Sequence, residues 1–345
     1  MHTLLGALDI GWGTTLAIKT LIVLMIIPLG ALILGYTFLL KMMSHMQSRL
    51  GPMDPGGFHG WFQLVGDGIK FLQKEDIMPA ESDRRVFAIA PAVVVISTFL
   101  IFLVVPTGPR LVVKDLDVGV FYALAVSSLS VIGVLMAGWA SANKFALIGA
   151  LRAAAQLIAY ELPLLLAVVG VVIQAGSMSL QDIVRFQANG SIFGVDFFGN
   201  PFILTQFVGF FLFLVAAQAE LTQTPFDMPV AESELVAGYM VEYTGFRFLF
   251  FFIGEFGTAF AFAALAATMY LGGWAIPGVT GTLADLLGPF VLFVKLMAVA
   301  FLMFWVRFTY PRLREDQLQA IAWKYLIPIG LLNIIATAII KVAVN

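Results

Sequence analysis

The sequence predicts an all-α, polytopic membrane protein of about eight transmembrane helices, and three observations carry that prediction. Of the 345 residues, 61% are hydrophobic and only 12% are charged, and the mean hydropathy is +0.97. Such a chain lives largely in hydrocarbon. Its apolar runs are long and unbroken, with polar loops between them, whereas a transmembrane barrel would show short alternating segments. Cysteine is absent, which excludes iron–sulfur ligation and thiolate zinc sites on this chain and places any redox centre on a partner. A net charge of −2 says little, because charge in a membrane protein matters by side rather than by sum. No nucleic-acid partner is expected, and no repeat or low-complexity tract divides the chain, so residues 1–345 read as one transmembrane domain.

Eight runs are long enough to cross roughly 30 Å of hydrocarbon at about 1.5 Å per residue. They lie near 15–40, 86–106, 118–139, 145–174, 202–220, 247–271, 286–308 and 321–343. No basic stretch precedes the first run and no small-residue cleavage site follows it, so it is expected to stay in the mature chain. The loops after spans one, three, five and seven carry thirteen Lys and Arg, and the opposite side, termini included, carries five. The positive-inside rule then puts those four loops in the cytoplasm and both termini on the outer face.

The loop after the first span holds FHGWFQLVGDGIKFLQKE, residues 58–75. On a helix, His59, Gln63, Asp67, Lys70 and Lys74 fall along one face and Trp61, Leu64, Val65, Gly68 and Leu72 along the other. Too short and too polar to span, it reads as a helix lying in the interface, either as a plain anchor or as part of a binding surface. Lys70 and Lys74 would suit anionic headgroups. Just before it Arg49 ends the first span, where Gly51 and Pro52 stop the helix.

In the fourth span Arg152, Gln156 and Tyr160 recur at i, i+4 and i+8 as one polar stripe. Glu161 points about 100° away from Tyr160. An ionised carboxylate at membrane depth costs about 2.5–3.5 kcal/mol on insertion scales, so Glu161 should face a partner or water. Pro163 invites a local kink beside it. In span six, Glu255 stands between Gly254 and Gly257, which let another helix approach closely. Lys295, near the middle of span seven, has no acid within reach on its own helix, so its partner must come from elsewhere. For Glu255 and Lys295, a structural buried ion pair and a proton-relay role weigh equally.

The most unusual stretch is AELTQTPFDMPVAESELVAGYMVEYTG, within the cytoplasmic loop 219–246, with Glu220, Asp227, Glu232, Glu234 and Glu242. Pro225 and Pro229 break any helix. Helical spacing then resumes and puts Glu234, Gly238 and Glu242 on one face, the carboxylates about 12 Å apart along the axis. Arg247 is the one balancing cation nearby. Folded inward, such a loop would hold acids with raised pKa values, suited to proton exchange. On composition alone, an ordinary solvated loop is the simpler reading.

The strings RLGP, GWFQLVGDGIKFLQKEDIMPA, VGVFYALAVSSLSVIGVLMAGWASANKFALIGALRAAAQLIAYE, the acidic stretch above and YPRLREDQLQAIAWKYLIP run through nearly the whole chain in order. Together they resemble the H membrane subunit of proton-translocating NADH:quinone oxidoreductase, respiratory complex I. The resemblance implies a component of a bacterial inner-membrane complex that binds no cofactor itself. Quinone would be its substrate, and flavin and iron–sulfur clusters would sit on partner subunits. Membrane and peripheral subunits and lipids would be its partners. It further implies that Glu161, Glu220 and Glu255 belong to an intramembrane acidic path. Glu232, Glu234 and Glu242 would be loop acids coupling quinone chemistry to that path, and Arg49, Asp67 and Lys70 would line the quinone passage.

The sequence departs from the family pattern at several motif positions. Leu39 and Leu40 replace a Glu-Arg pair, Met53 an Asn, Thr222 and Gln223 an Asn-Arg pair, and Val230 the first acid of the loop cluster, while Ser130 takes a position that is acidic in some members. The missing arginines remove cations that would meet a quinone headgroup or neutralise the loop. The departures keep open a homologous component of a membrane-bound hydrogenase or another donor-specific complex. From different classes, a stand-alone ion-coupled transporter and a structural anchor protein also stay open, although a transporter would be expected to show an inverted repeat.

Overall fold

The computed structural model describes residues 12–189, 200–276, 279 and 281–344, and every regular element among them is helical. Helix α1 (Trp12–Leu34) continues through a wider π-type stretch, Gly35–Met42, into Met43–Met46. The short α2 (Gln63–Gln73) follows, then α3 (Arg84–Ile101) and α4 (Gly119–Ala140). The next helices are α5 (Lys144–Ala175), α6 (Leu180–Asn189) and α7 (Phe207–Glu220). The last three are α8 (Gly245–Tyr270), α9 (Thr282–Thr309) and α10 (Glu315–Ala343).

Local chemistry sets several of these boundaries. Asp83 caps α3 by accepting from the backbone N–H of Arg85 at 3.2 Å and Val86 at 3.4 Å, and the Asn143 Oδ1 caps α5 by accepting from Phe145 N–H at 2.8 Å. Helix α5 runs unbroken through Pro163 for 32 residues. That is about 48 Å, so it overshoots the hydrocarbon and offers extra turns to the loops.

Among the described residues, seven helices are long and apolar enough to cross a membrane. The expected fifth span is the exception. It forms as a single turn, Phe202–Thr205, and a 14-residue helix, α7, divided at Gln206. Gln206 leaves helical geometry at φ −115° and ψ 39°. Its side chain meanwhile donates to Thr337 Oγ1 at 2.7 Å and accepts from Asn333 Nδ2 at 3.0 Å. The second span stops at Ile101 rather than running to 106.

Two helices organise the bundle. Helix α5 packs against α4, α7 and α10, while α8 packs against α1, α2, α3 and α9. Phe38, Phe304 and Phe256 stack in series along the seam of α1, α9 and α8, with ring centroids 5.2 and 5.8 Å apart. Deep in the core the Tyr270 hydroxyl lies 3.1 Å from the Ala167 carbonyl and 3.2 Å from that of Gly209, joining α8 to α5 and α7.

The loops after odd-numbered spans meet at one end. There Ile77 N–H donates to Thr244 Oγ1 at 3.1 Å, and Leu313 N–H to the Pro225 carbonyl at 2.9 Å. At the other end Lys19 Nζ donates to the Val113 carbonyl at 2.9 Å, and Gln181 Nε2 to that of Pro109 at 2.8 Å. Helix α4 crosses α5 closely, and a Cβ on Gly138 would stand 2.2 Å from Ala150 Cβ and 2.6 Å from the Ala146 carbonyl. Gly138→Ala is therefore expected to cost about 1–3 kcal/mol through overpacking. A lower midpoint for loss of the monodisperse gel-filtration peak on heating checks it.

Candidate polar site beneath the acidic loop

After Glu220 the chain leaves the helix, and residues 221–244 fold back over the ends of α5, α8 and α9. Helical spacing does not survive here. One turn forms at Glu232–Leu235, Val236 takes φ +66°, and a second turn forms at Gly238–Met240. Glu234 and Glu242 consequently share no helix face. Gly238, at φ +55°, sits so close under Pro229 that a Cβ would lie 1.7 Å from the Pro229 carbonyl oxygen. Below it is Gly149 of α5, whose own added Cβ would come within 2.7 Å of Gly238 Cα. The loop thus rests backbone to backbone on α5, with Leu235, Tyr239 and Tyr243 buried. This overturns the solvated-loop reading, because a solvated loop would leave those side chains in water.

The α5 stripe holds this loop in place. Arg152 Nη1 meets Glu234 at 2.5 Å, and its Nε lies 3.8 Å from Glu315 at the start of α10. Gln156 Nε2 donates to the carbonyls of Ala219 at 2.7 Å and Phe226 at 2.8 Å. The Tyr160 hydroxyl donates to the Leu318 carbonyl at 2.9 Å. Three side chains one turn apart therefore tie the end of α7, the loop and the start of α10 to α5.

Between the loop, α8 and α9 lies a cavity of about 320 Å³ whose lining includes Thr222, Gln223, Asp227, Val230, Tyr239 and Glu255. Its charges form two closed pairs, Glu255 with Arg307 at 3.1 Å and Asp227 with Arg312 at 3.0 Å. Gln223 Nε2 donates to Glu255 Oε1 at 3.1 Å and so ties the loop to the intramembrane acid. Gln223 Oε1 is buried without a hydrogen-bond partner among the described residues. Arg307 also stands over the rings of Phe256, Phe304 and Phe308 at 5.7 to 6.0 Å. Burial raises the Asp227 carboxyl above its ordinary value, and the Arg312 guanidinium opposes that rise. Burial, followed by the charges of Glu255 and Asp227, pushes the Tyr239 phenol well above its usual range.

The remaining acids are divided. Glu161 and Glu220, both half-buried, lie near enough for their charges to repel. Glu242 accepts from Asn143 Nδ2 at 2.6 Å. The side chain of Glu232 lies outside the described residues. Arg247 does not balance the loop, since it pairs with Asp76 at 3.1 Å. Compensation comes instead from Arg152, Arg307 and Arg312. Lys295 has no acid partner among the described residues. It donates to the carbonyls of Gly273 at 2.8 Å and Ala275 at 3.1 Å at the far end of α8, away from Glu255.

Helix α2 starts at Gln63, later than the amphipathic pattern implies, because His59 takes φ +60° and Phe58–Gly60 forms a separate turn. Lys74 is extended rather than helical. The helix is fastened to α8 by Phe71 stacked on Phe248 at 5.6 Å, leaving Ile69 and Leu72 exposed. Asp67 accepts from Lys70 Nζ at 3.0 Å. Arg49 Nε donates to Gln47 Oε1 at 2.9 Å, and among the described residues it has no hydrogen bond or ion pair with Asp67 or Lys70.

Sequence reasoning missed Arg307, Arg312, Gln223 and Asn143 as site residues. In the sequence, Arg307 and Arg312 are two of the thirteen Lys and Arg of the loops expected in the cytoplasm, and nothing local links position 255 to position 307.

A family model described as NADH dehydrogenase matches residues 18–338. The H subunit of NADH-quinone oxidoreductase from Geobacillus kaustophilus (strain HTA426) is 45% identical over 301 residues, covering 87% of this chain and 86% of that protein. The protein of that name from Anoxybacillus flavithermus (strain DSM 21510 / WK1) is 44% identical over 318 residues, 92% of each chain. That from Brevibacillus brevis (strain 47 / JCM 6285 / NBRC 100599) is 43% identical over 341 residues, 99% of this chain and 97% of the relative.

Gln156→Leu removes both donors at once and strands the Phe226 carbonyl at roughly 1–3 kcal/mol, while the Ala219 carbonyl still accepts from Thr222 N–H at 3.1 Å. Limited proteolysis is expected to cut the variant within 222–231 several-fold faster than the wild type while leaving the α3–α4 loop equally protected.

Proposed function

Because this chain belongs to the NADH dehydrogenase family, alongside the H subunits of NADH-quinone oxidoreductase, we propose that it forms part of a quinone channel and couples quinone reduction to an intramembrane acidic path. Its place would be the bacterial inner membrane. The observation that carries this reading is the contact of Gln223 with Glu255. Through it the acidic loop and an acid of the span share one small cavity whose two ion pairs cancel.

Reduction of a quinone to a quinol takes up two electrons and two protons. The chain has no cysteine to hold a cluster, so the electrons come from centres on other subunits. Quinone enters along the α2 side, past Asp67, Lys70 and Arg49, where exposed apolar side chains of α2 suit its tail. A change of charge at the headgroup acts on the loop acids Glu232, Glu234 and Glu242. In a cavity of low polarity, an added or removed proton is felt strongly by the neighbouring pairs. Loss of a proton from, or its delivery to, Glu220 shifts Glu161 beside it, and the protonation change passes by way of Glu255 toward neighbouring subunits. The uncharged Thr222, Gln223 and Val230 alter this cavity without leaving it unneutralised, because Arg307 and Arg312 pair with both of its carboxylates.

In the assembled complex, Glu161→Gln and Glu220→Gln are each expected to abolish proton pumping or turnover. An unchanged rate and proton-to-electron ratio in both variants would refute the path.

The excess of Lys and Arg puts the loop end in the cytoplasm. Since the wild-type chain lacks cysteine, a single introduced thiol reports its side cleanly. With a membrane-impermeant maleimide, Leu50→Cys should label only in inside-out vesicles and Val118→Cys only in right-side-out vesicles. Both side chains are exposed.

A further inference from the structure

At the end of the bundle away from the acidic loop, a second cavity of about 680 Å³ opens beside α5, α7 and α10. Its wall is mixed. Gln174, Asn200 and Thr205 present amide and hydroxyl groups, Lys341 presents a cation, and Phe186 and Ile340 present apolar surface. The deep polar groups are closed, as Gln206 bonds to both Thr337 and Asn333. Those groups have room because Gly170 carries no side chain. A Cβ there would stand 2.8 Å from Gln206 Oε1 and 3.0 Å from Asn333 Nδ2.

Nearer the helix ends, Gln174 Nε2 donates to Thr205 Oγ1 at 2.7 Å, whereas Lys341 and Asn200 keep unused donors among the described residues. Lys341 Nζ donates to the carbonyls of Ile173 at 2.5 Å and Gln174 at 3.3 Å, which uses two of its three N–H groups. Carbonyls accept those bonds without cancelling the charge, and among the described residues no carboxylate pairs with Lys341 or lines the cavity. The half-buried side-chain amide of Asn200 has no hydrogen-bond partner among the described residues. Lys341 lies near the C-terminal ends of both α5 and α10, the depth at which a span meets the headgroup layer. Phe186 and Ile340 flank the cavity and are themselves well exposed, so they offer an apolar track leading from the cation toward the hydrocarbon.

We infer that this cavity binds an anionic glycerophospholipid. Its phosphodiester sits on the free N–H of Lys341 and the amide of Asn200, and an acyl chain lies along Phe186 and Ile340. One phosphodiester charge balances one ammonium. A free phosphate would leave the apolar track bare. A choline lipid would bring a second cation to a cavity with no carboxylate among the described residues to receive it. The site lies at the opposite end from the acidic loop and holds whether or not the quinone reading does.

The test uses the complex purified in mild detergent, stripped of loosely held lipid and incubated with dioleoylphosphatidylglycerol, dioleoylphosphatidylcholine or inorganic phosphate. Native mass spectrometry counts what each copy retains. The wild type and Lys341→Arg should each keep one phosphatidylglycerol that Lys341→Gln and Ala336→Trp lose, and should keep no phosphatidylcholine there. Lys341→Gln also removes the α5 cap, whereas Ala336→Trp fills the cavity and leaves the cap in place. Equal phosphatidylglycerol retention in the wild type and Ala336→Trp would overturn the proposal. So would equal retention of the choline lipid, or displacement of phosphatidylglycerol by inorganic phosphate, which would mark an anion site without lipid specificity.

Discussion

A backbone carbonyl left outside a helix at membrane depth has no water to bond to, and this single constraint shapes the end of the bundle where the acidic loop folds. At that end the chain breaks its helices after Glu220 and again at Val236. Each break exposes acceptors that a neighbour must meet. Helix α5 meets two of them, with Gln156 on the carbonyls of Ala219 and Phe226, and Tyr160 adds a bond to the Leu318 carbonyl near the start of α10. Its length and continuity through Pro163 allow this, because one unbroken rod presents a straight row of donors to the loop and to the start of α10.

Charge is handled by a similar exchange between distant segments. The loop acids and Glu255 beneath them look undercompensated in a linear reading, yet three cations from two other helices or their ends reach them. Arg152 comes from α5, Arg307 from α9, and Arg312 from the turn just beyond α9. Half-buried pairs of this kind return little net stability, since desolvation offsets much of their attraction. Their larger effect is on placement. A half-buried guanidinium with a carboxylate partner fixes where α9 ends relative to the loop, and with it the shape of the cavity that Gln223 shares with Glu255.

What the sequence shows follows the range over which each interaction acts. The helical membrane class, most spans and the Arg152, Gln156 and Tyr160 stripe are local patterns, and all three are legible. The paired charges are not, because Glu255 and Arg307 stand 52 residues apart on different helices. Lys295 misleads for another reason: backbone carbonyls satisfy it, and a carbonyl acceptor leaves no trace in residue identity. Helical spacing over AESELVAGYMVEY fails at Val236 and Gly238, where positive φ angles stop the helix that the apolar rhythm suggests. The start of α2 at Gln63 rather than Phe58 has the same origin, at His59. Motif strings supplied the family. The cavity needed the fold.

The glycine-on-glycine contact of Gly238 with Gly149 has a mechanical consequence. Most loops rest on their supports through side chains, whose rotamers absorb small displacements. Here two backbones touch with no such cushion, and even a methyl group would not fit between them. A joint without play does not damp motion. A sub-ångström shift of the loop at this point must move α5 or the loop as a whole, so this seat behaves as a rigid bearing within an otherwise compliant connection.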